Sequence, residues 1–492
     1  MLSILRWTLA QMQTRFLSNL ILILVLNLLV KPLYLLGIDA EVQSRVGTEI
    51  YGTYFGLINL SFLLNFFLDF GITNYNVRQV AQKGNLFSDH FSGLLSLRII
   101  LSAAYMLILL GVGILLGYGK EQLFILAFLG INQAMAAFLL FFRSNLSGLH
   151  LFKQDSILSV LDRILLIGLV GALLFLPSMN GHFEIEWFVY AQTFSYGTAA
   201  LVSFILVKKN IQSVLLSWDP KFWTKILKAS APFALLTLTM MAYHRSDGIM
   251  LERLLDDQGN EAGIYARGYR FFEAASMVAY LFAVLLLPMF SRAIERKENV
   301  TPLVNLSFRI LFAGAWTIGV SCFFLSDSIL ASIYDDLIPQ TSQVFQLLML
   351  GFVAYSTTYI FGTLITAHGS MKLLNLISLV GVIVNIALNF WLIPTHGAYG
   401  SAMATLITQG LAALIQFGAA FRLFKMKVDY KVLIGTIIFT ILLWIFGTSI
   451  DLVGTELKIQ LPALLIAGIL LAALTGLFPI KAFLSLLKQR ES

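Results

Sequence analysis

Residues 373–394 read LLNLISLVGVIVNIALNFWLIP, and no charged side chain interrupts them. A helix rises about 1.5 Å per residue, so a run of this length crosses a hydrocarbon layer about 30 Å thick. A strand of a membrane barrel would alternate apolar and polar side chains over segments of about 10 residues, and this run does not alternate. Similar apolar runs surround it, near 16–38, 51–72, 94–117, 122–142, 156–177, 187–207, 229–250, 263–289, 304–326, 342–366, 398–421, 432–449 and 461–479. The pattern predicts an all-α polytopic membrane protein with about 14 transmembrane helices.

Composition agrees with that reading. Of 492 residues, 58% are hydrophobic and only 12% charged, and the mean hydropathy is +0.84. A soluble domain carries about 25% charged residues. The stretches between runs are short, about 20 residues at most, which leaves no room for a soluble catalytic domain of ordinary size. The nearest approach to a nucleotide-binding loop, Gly117-Tyr118-Gly119-Lys120-Glu121, lacks the Ser/Thr that would hold a metal ion. Neither a His/Asp/Ser set nor a carboxylate pair stands at catalytic spacing. The sole cysteine, Cys322, lies within the ninth run, so one chain builds neither a disulfide nor a cysteine metal site. The expectation is a transporter rather than an enzyme, with no cofactor and with a proton or sodium gradient as its energy source.

The charges are sided. Of the 33 lysines and arginines, 22 fall on the side that holds both termini, whereas Arg45, Lys120, Arg253 and Lys458 fall on the other. Acids run the opposite way, with Asp39, Glu41, Glu49, Glu184, Glu186, Asp256, Asp257, Glu261, Asp335 and Asp336 on that second side. The positive-inside rule then makes both termini cytoplasmic. It also explains the cluster Lys208, Lys209, Lys221, Lys225 and Lys228 without nucleic acid, despite the net charge of +7. The opening residues, MLSILRWTLAQMQTRFLSNL, lack a closed signal-peptide pattern and are expected to be retained.

The runs divide the chain into a cytoplasmic or interfacial segment 1–15, an N-lobe 16–210 with spans 1–6, a C-lobe 222–424 with spans 7–12, spans 13–14 at 429–480, and a cytoplasmic tail 481–492. Six spans per lobe is an even number, so two pseudo-symmetric lobes would face the same way, as a parallel repeat. Arg15 precedes the first span and Lys31 stands 16 residues later within it, much as Lys228 precedes the seventh and Arg245 stands 17 residues later. Gly47 and Tyr51 then open the second span, as Gly263-Ile264-Tyr265 open the eighth. Pro32 and Pro232 stand in the matched helices as candidate kinks.

Three stretches carry a resemblance. Residues 46–81, VGTEIYGTYFGLINLSFLLNFFLDFGITNYNVRQVA, contain Tyr51-Gly52, Asp69-Phe70-Gly71 and Arg78-Gln79-Val80-Ala81. Residues 244–274 read HRSDGIMLERLLDDQGNEAGIYARGYRFFEA, and residues 385–409 read NIALNFWLIPTHGAYGSAMATLITQ, with Asn389, Pro394, Gly397, Gly400, Ala402 and Thr405 at familiar spacing. Together they resemble the polysaccharide flippase branch of the multidrug/oligosaccharidyl-lipid/polysaccharide exporter superfamily. The resemblance implies alternating access between two six-helix lobes around a central cavity, moving polyprenyl-diphosphate-linked oligosaccharide such as an O-antigen unit. A polysaccharide polymerase and its chain-length machinery are possible partners. The third stretch is shared with lipid II flippases and with multidrug extruders, which remain the alternatives. Physically, Pro394 and Gly397 close a short outer turn there, and Gly400, Ser401, Ala402 and Ala404 allow close helix packing.

Charges within spans are costly and are functional candidates by default. Arg98, Arg163 and Arg309 lie near cytoplasmic ends, where long side chains snorkel to the headgroups. Asp162, beside Arg163, goes with the same interface. Asp69 sits near the end of the second span, where the helix dipole disfavours an anion, so Arg78 or Arg98 is its expected partner in a structural or gating bridge. Lys31, Arg245, Arg267 and Arg270 all fall in the outer half of the membrane, against only Asp247 and Glu273 nearby. A surplus of guanidinium groups suits a diphosphate, which they bind in a bidentate way. The expected substrate-binding set is therefore Lys31, Arg245, Arg267 and Arg270, with Tyr265 and Tyr269 to stack on sugar rings. Asp69, Asp247 and Glu273 are the expected gating or ion-coupling residues. The competing reading is an ion-pair network that holds spans 7 and 8.

Overall fold

The computed structural model of the chain describes residues 25–73, 76, 87–149, 151–176, 183–209, 216–452 and 456–478. These residues are helical, with no strand among them. Helix α1 covers 25–46: it is α-helical over 25–33, π-helical over Tyr34–Asp39 and α-helical again over Ala40–Val46. Then follow α2 (Thr48–Leu63, continued after a turn by Phe66–Asp69), α3 (Phe87–Leu115), α4 (Lys120–Gly148), α5 (Phe152–Phe175), α6 (Ile185–Lys208) and α7 (Pro220–Leu254). The second half holds α8 (Asn260–Glu295), α9 (Thr301–Phe324), a short turn of helix at Ser326–Ala331, and α10 (Ile338–Ala367).

The next helical stretch, Met371–Leu423, has 53 residues, about twice what a bilayer accommodates. It is broken at Gly397, whose φ of 53° and ψ of −134° suit only a residue without a side chain. We treat 371–396 as α11 and 398–423 as α12. Tyr430–Leu452 is α13 and Leu457–Leu474 is α14. Among the described residues, 11 helices are long and apolar enough to cross a membrane, with the broken stretch counted as one. With α11 and α12 taken apart, and with the partly described α1 and the more polar α7 added, the helices fit the fourteen expected spans.

The first span is longer than its hydropathy indicates. The apolar run ends at 38, which set Asp39 and Glu41 in an outer loop, yet the helix continues to Val46. The reason is local: the Tyr51 hydroxyl lies 2.9 Å from both carboxylate oxygens of Asp39, so the acid stays fully buried inside the bundle. Pro32 stands two residues before the π turn, and both features are causes of helix kinks. The side chain of Pro232 lies outside the described residues.

The chain forms two compact units, one of Met1–Arg253 with Asp257–Gly263, the other of Leu254–Asp256 with Ile264–Ser492. By this division α7 falls, up to Arg253, in the first unit. In the first unit α4 packs along α6 and α2 along α4. One end of this unit is filled by Ile72, Phe91, Leu94, Phe141, Leu158, Val207 and Ile226, drawn from the region after α2 and from α3 to α7. In the second unit α10 packs along α9 and along the α11–α12 stretch. Helices α13 and α14 lie against α9 through Phe439, Leu443 and Leu464, so the pair outside the expected repeat has its own apolar seam.

Candidate functional site

The expected site residues are divided between the two units. Lys31, Asp69, Arg245 and Asp247 belong to the first, and Tyr265, Arg267, Tyr269, Arg270 and Glu273 to the second.

In the first unit, the end of α2 is shaped around Asp69. The backbone turns left-handed at Phe70 (φ 45°) and Gly71 (φ 76°), which brings Thr73 back to the carboxylate. The Thr73 amide donates to Asp69 at 3.1 Å, and its hydroxyl donates to the same oxygen. Arg98 Nη2 of α3 reaches Asp69 Oδ1 at 2.5 Å and Thr73 Oγ1 at 2.7 Å, while Nη1 donates to the Ala137 carbonyl at 3.3 Å. Of the two expected partners, Arg98 is the one found; Arg78 lies outside the described residues. The snorkelling reading of Arg98 is corrected at the same time. Its guanidinium is buried over the Phe141 ring, because Asp69 and a backbone carbonyl satisfy it there better than headgroups would. Arg163 likewise lies over the Tyr34 and Tyr196 rings, beside Asp162 at 3.6 Å. Arg309 reaches Asp429 at 3.5 Å.

Helix α7 carries Arg245 and Asp247 along α2. Arg245 Nη1 lies 3.4 Å from Asn59 Oδ1, and its guanidinium sits 4.4 Å from the centroid of Phe62. Asp247 is buried, and Lys31 on α1 is half-buried. The close approach depends on a G-x-x-x-G pair, Gly52 and Gly56. A Cβ on Gly52 would fall onto the Gly259 carbonyl and 2.6 Å from the Gly263 nitrogen; one on Gly56 would stand 2.7 Å from Glu252 Cβ.

Glu252 was missed in the sequence. It is buried at the end of α7, where it accepts from the Tyr118 hydroxyl at 2.8 Å and from Arg253 through both Nε, at 2.5 Å, and Nη2. Arg253 also donates to the Leu116 carbonyl at 3.1 Å and lies over the Tyr118 ring. Burial first, and then the Glu252 charge, hold the Tyr118 phenol well above its ordinary pKa. The outer position of Arg253 and the tight Gly117-Tyr118-Gly119 turn were the available signals, but the partners are 134 residues apart. This lock, with the glycine pair, fastens α7 to the first unit.

In the second unit, α8 presents two different faces. Arg267 is 1% exposed and is held by the Asp336 carbonyl at 2.9 Å, by the Asp336 carboxylate at 2.8 Å and by the Tyr334 ring. Arg270, one turn on, reaches Glu273 Oε2 at 3.0 Å. The other face is aromatic: Tyr265 stacks on Tyr269, Tyr269 on Phe272, and Phe272 contacts Tyr355 of α10. The Tyr265 hydroxyl lies 3.3 Å from Thr405 Oγ1 on α12. Thr405 and the tyrosines thus join two of the three quoted stretches in one unit. Among the described residues, no group of three His, Cys, Asp or Glu side chains forms a metal site.

The sequence model of a family described as polysaccharide biosynthesis protein matches residues 16–294. An uncharacterized membrane protein of Methanocaldococcus jannaschii is 23% identical over 398 residues, covering 77% of this chain and 92% of that protein. The lipid III flippase of Escherichia coli strain K12 is 26% identical over 196 residues, 39% of this chain and 46% of that protein. Among solved structures, a lipid II flippase in an inward-closed conformation superposes with a TM-score of 0.72 at 15% identity, covering 94% of this chain and 98% of the other. An inward-facing multidrug resistance transporter of the MATE family gives 0.60 at 13% identity, over 82% and 94%. The chain is a multi-pass membrane protein with the fold of the multidrug/oligosaccharidyl-lipid/polysaccharide superfamily, and it belongs to the polysaccharide biosynthesis protein family.

Proposed function

We propose that the chain is a secondary transporter that flips undecaprenyl-diphosphate-linked oligosaccharide, a polysaccharide repeat unit, from the cytoplasmic to the outer leaflet of a bacterial inner membrane. Transport is by alternating access, driven by a proton or sodium gradient, with both termini cytoplasmic. The observation that carries the reading is the guanidinium of Arg245, set on a membrane helix between the Asn59 amide and the Phe62 ring, within the segment matched by the polysaccharide family. An intramembrane cation of this kind serves an anionic cargo, and a diphosphate matches the planar donors of arginine.

Diphosphate contact is assigned to Lys31, Arg245 and Arg270, and sugar stacking to Tyr265 and Tyr269. Arg267, already held by Asp336 and Tyr334, fixes the start of α8 rather than touching cargo. Asp69, Asp247 and Glu273 are assigned to gating and coupling: Asp69 through its bridge to Arg98, and Glu273 by releasing Arg270 to the substrate. A flipped repeat unit is what a polysaccharide polymerase and its chain-length machinery consume, so these are the expected partners. A lipid II cargo is the second reading, favoured by the fold likeness, and it shares the same residue assignments. An extruder of cationic drugs would need acids where this chain carries arginines.

The test is depletion and replacement in the host cell. Arg270→Ala, expressed and folded normally, is expected to leave lipid-linked repeat units in the inner leaflet. Normal surface polysaccharide in that variant would remove Arg270 from the substrate set. Arrest of cell-wall synthesis on depletion would shift the cargo to lipid II.

A further inference from the structure

The lysines at the junction of α6 and α7 do more than set topology. Val207 of α6 and Ile226 of α7 belong to one buried cluster, so the end of one helix and the start of the other share one end of the first unit. Lys208 and Lys209 close α6 and are exposed. Lys221, Lys225 and Lys228 are exposed along the first turns of α7, spaced four and three apart and therefore on one face. The opposite face, Phe222, Trp223 and Ile226, packs into the cluster, and Trp223 Nε1 donates to the Gly93 carbonyl of α3 at 3.2 Å. None of the five lysines makes an ion pair among the described residues.

The segment before α7 is tied down so that apolar side chains stand beside those lysines. The Ser217 amide donates to Ser96 Oγ of α3 at 3.0 Å. The Trp218 ring meets Trp223 edge-on at 5.7 Å. Asp219, the acid within the patch, is turned to the backbone, accepting from the amides of Lys221 at 3.0 Å and Phe222 at 3.1 Å, so it caps the helix. Trp218 nevertheless remains 70% exposed, and Leu216 is also exposed. A fixed, exposed tryptophan and leucine flanked by five lysines combine an interfacial anchor with a surplus of positive charge.

We propose that this surface binds anionic phospholipid headgroups of the cytoplasmic leaflet, with Lys221, Lys225 and Lys228 on the phosphates and Trp218 seated at the level of the glycerol backbone. The side of the membrane rests on the orientation proposed above; the lipid preference does not rest on the transport reading. The amphipathic start of α7 then couples leaflet composition to the helix that carries Arg245.

The experiment is native mass spectrometry of the full chain released from nanodiscs made of equal phosphatidylglycerol and phosphatidylethanolamine. The wild type is expected to retain phosphatidylglycerol over phosphatidylethanolamine. That preference should fall several-fold in K221Q/K225Q/K228Q, fall partly in W218A, and persist in K221R/K225R/K228R. K120Q, on the opposite side, should leave it unchanged. The proposal is overturned if the glutamine variant, with unchanged melting temperature, retains the same lipids as the wild type. It is overturned equally if the wild type shows no preference between the two lipids, in which case the patch serves an acidic protein or water alone. Neither outcome touches the transport assays.

Discussion

The Tyr118 hydroxyl donates to Glu252 Oε2 at 2.8 Å, and this bond joins the turn between α3 and α4 to the end of α7. Both partners lie in the first unit, so the bond ties α7 to the rest of that unit.

Tyr118→Phe leaves the buried Glu252 with only Arg253, so it should cost about 1.5–3 kcal/mol, the range for a hydrogen bond to a charged group. The phenol is raised in the folded state, so its contribution is complete below the ordinary phenol pKa of about 10 and is lost as pH climbs above it. Thermal melts between neutral and strongly alkaline pH check both points. Wild type should lose its advantage over Tyr118→Phe only at the alkaline end, and parallel curves would contradict the assignment.

Arg98→Ala takes the cation from Asp69, leaving it only the Thr73 amide and hydroxyl, and should destabilise the first unit by about 3 kcal/mol, the lower part of the range for breaking a buried pair, because Asp69 is partly exposed. Asp69→Asn combined with Arg98→Met should recover part of the loss. Chemical unfolding in detergent measures the coupling; additive single and double effects would mean that the bridge contributes nothing.

Gly52→Leu should abolish folded protein, since its first carbon already lands on the Gly259 carbonyl, whereas Gly111→Ala, with open space around its Cβ, should be tolerated. Size-exclusion profiles of the two variants test the claim. A monodisperse Gly52→Leu protein would show that α2 and the Gly259–Gly263 turn do not meet as described.

What the sequence showed and what it hid follow from how each feature is encoded. Apolar runs answer to the bilayer, so spans such as 373–394 and the break at Gly397 were legible. Asp69 was legible as a residue in need of a cation, and Arg98 was one of two candidates. The burial of Arg98 was not, because distance from a span end says nothing about a carbonyl on α4. Asp39 looked like a loop acid until Tyr51 supplied its partner. Glu252 drew no notice at all, because its value lies in Tyr118, far away in the chain. Among the expected site residues, Arg270 and Glu273 stand three apart on α8 and meet there, while the grip of Asp336 on Arg267 came from a loop with no periodic signal.

Arg267→Lys keeps the charge and loses the planar fork that reaches both the carbonyl and the carboxylate of Asp336. It should lower the melting temperature while reducing transport less than Arg270→Ala does. The reverse ranking in paired stability and transport measurements would return Arg267 to the substrate set.

The central claim is transport of a lipid-linked glycan, and its most direct measurement is transbilayer movement in liposomes holding the purified chain and a fluorescent undecaprenyl-diphosphate oligosaccharide. With an imposed proton or sodium gradient, wild-type protein should bring the glycan within reach of an external quencher, while Arg245→Ala and Arg270→Ala proteoliposomes should stay near the protein-free rate. Wild-type vesicles that match protein-free ones under both gradients would contradict the account.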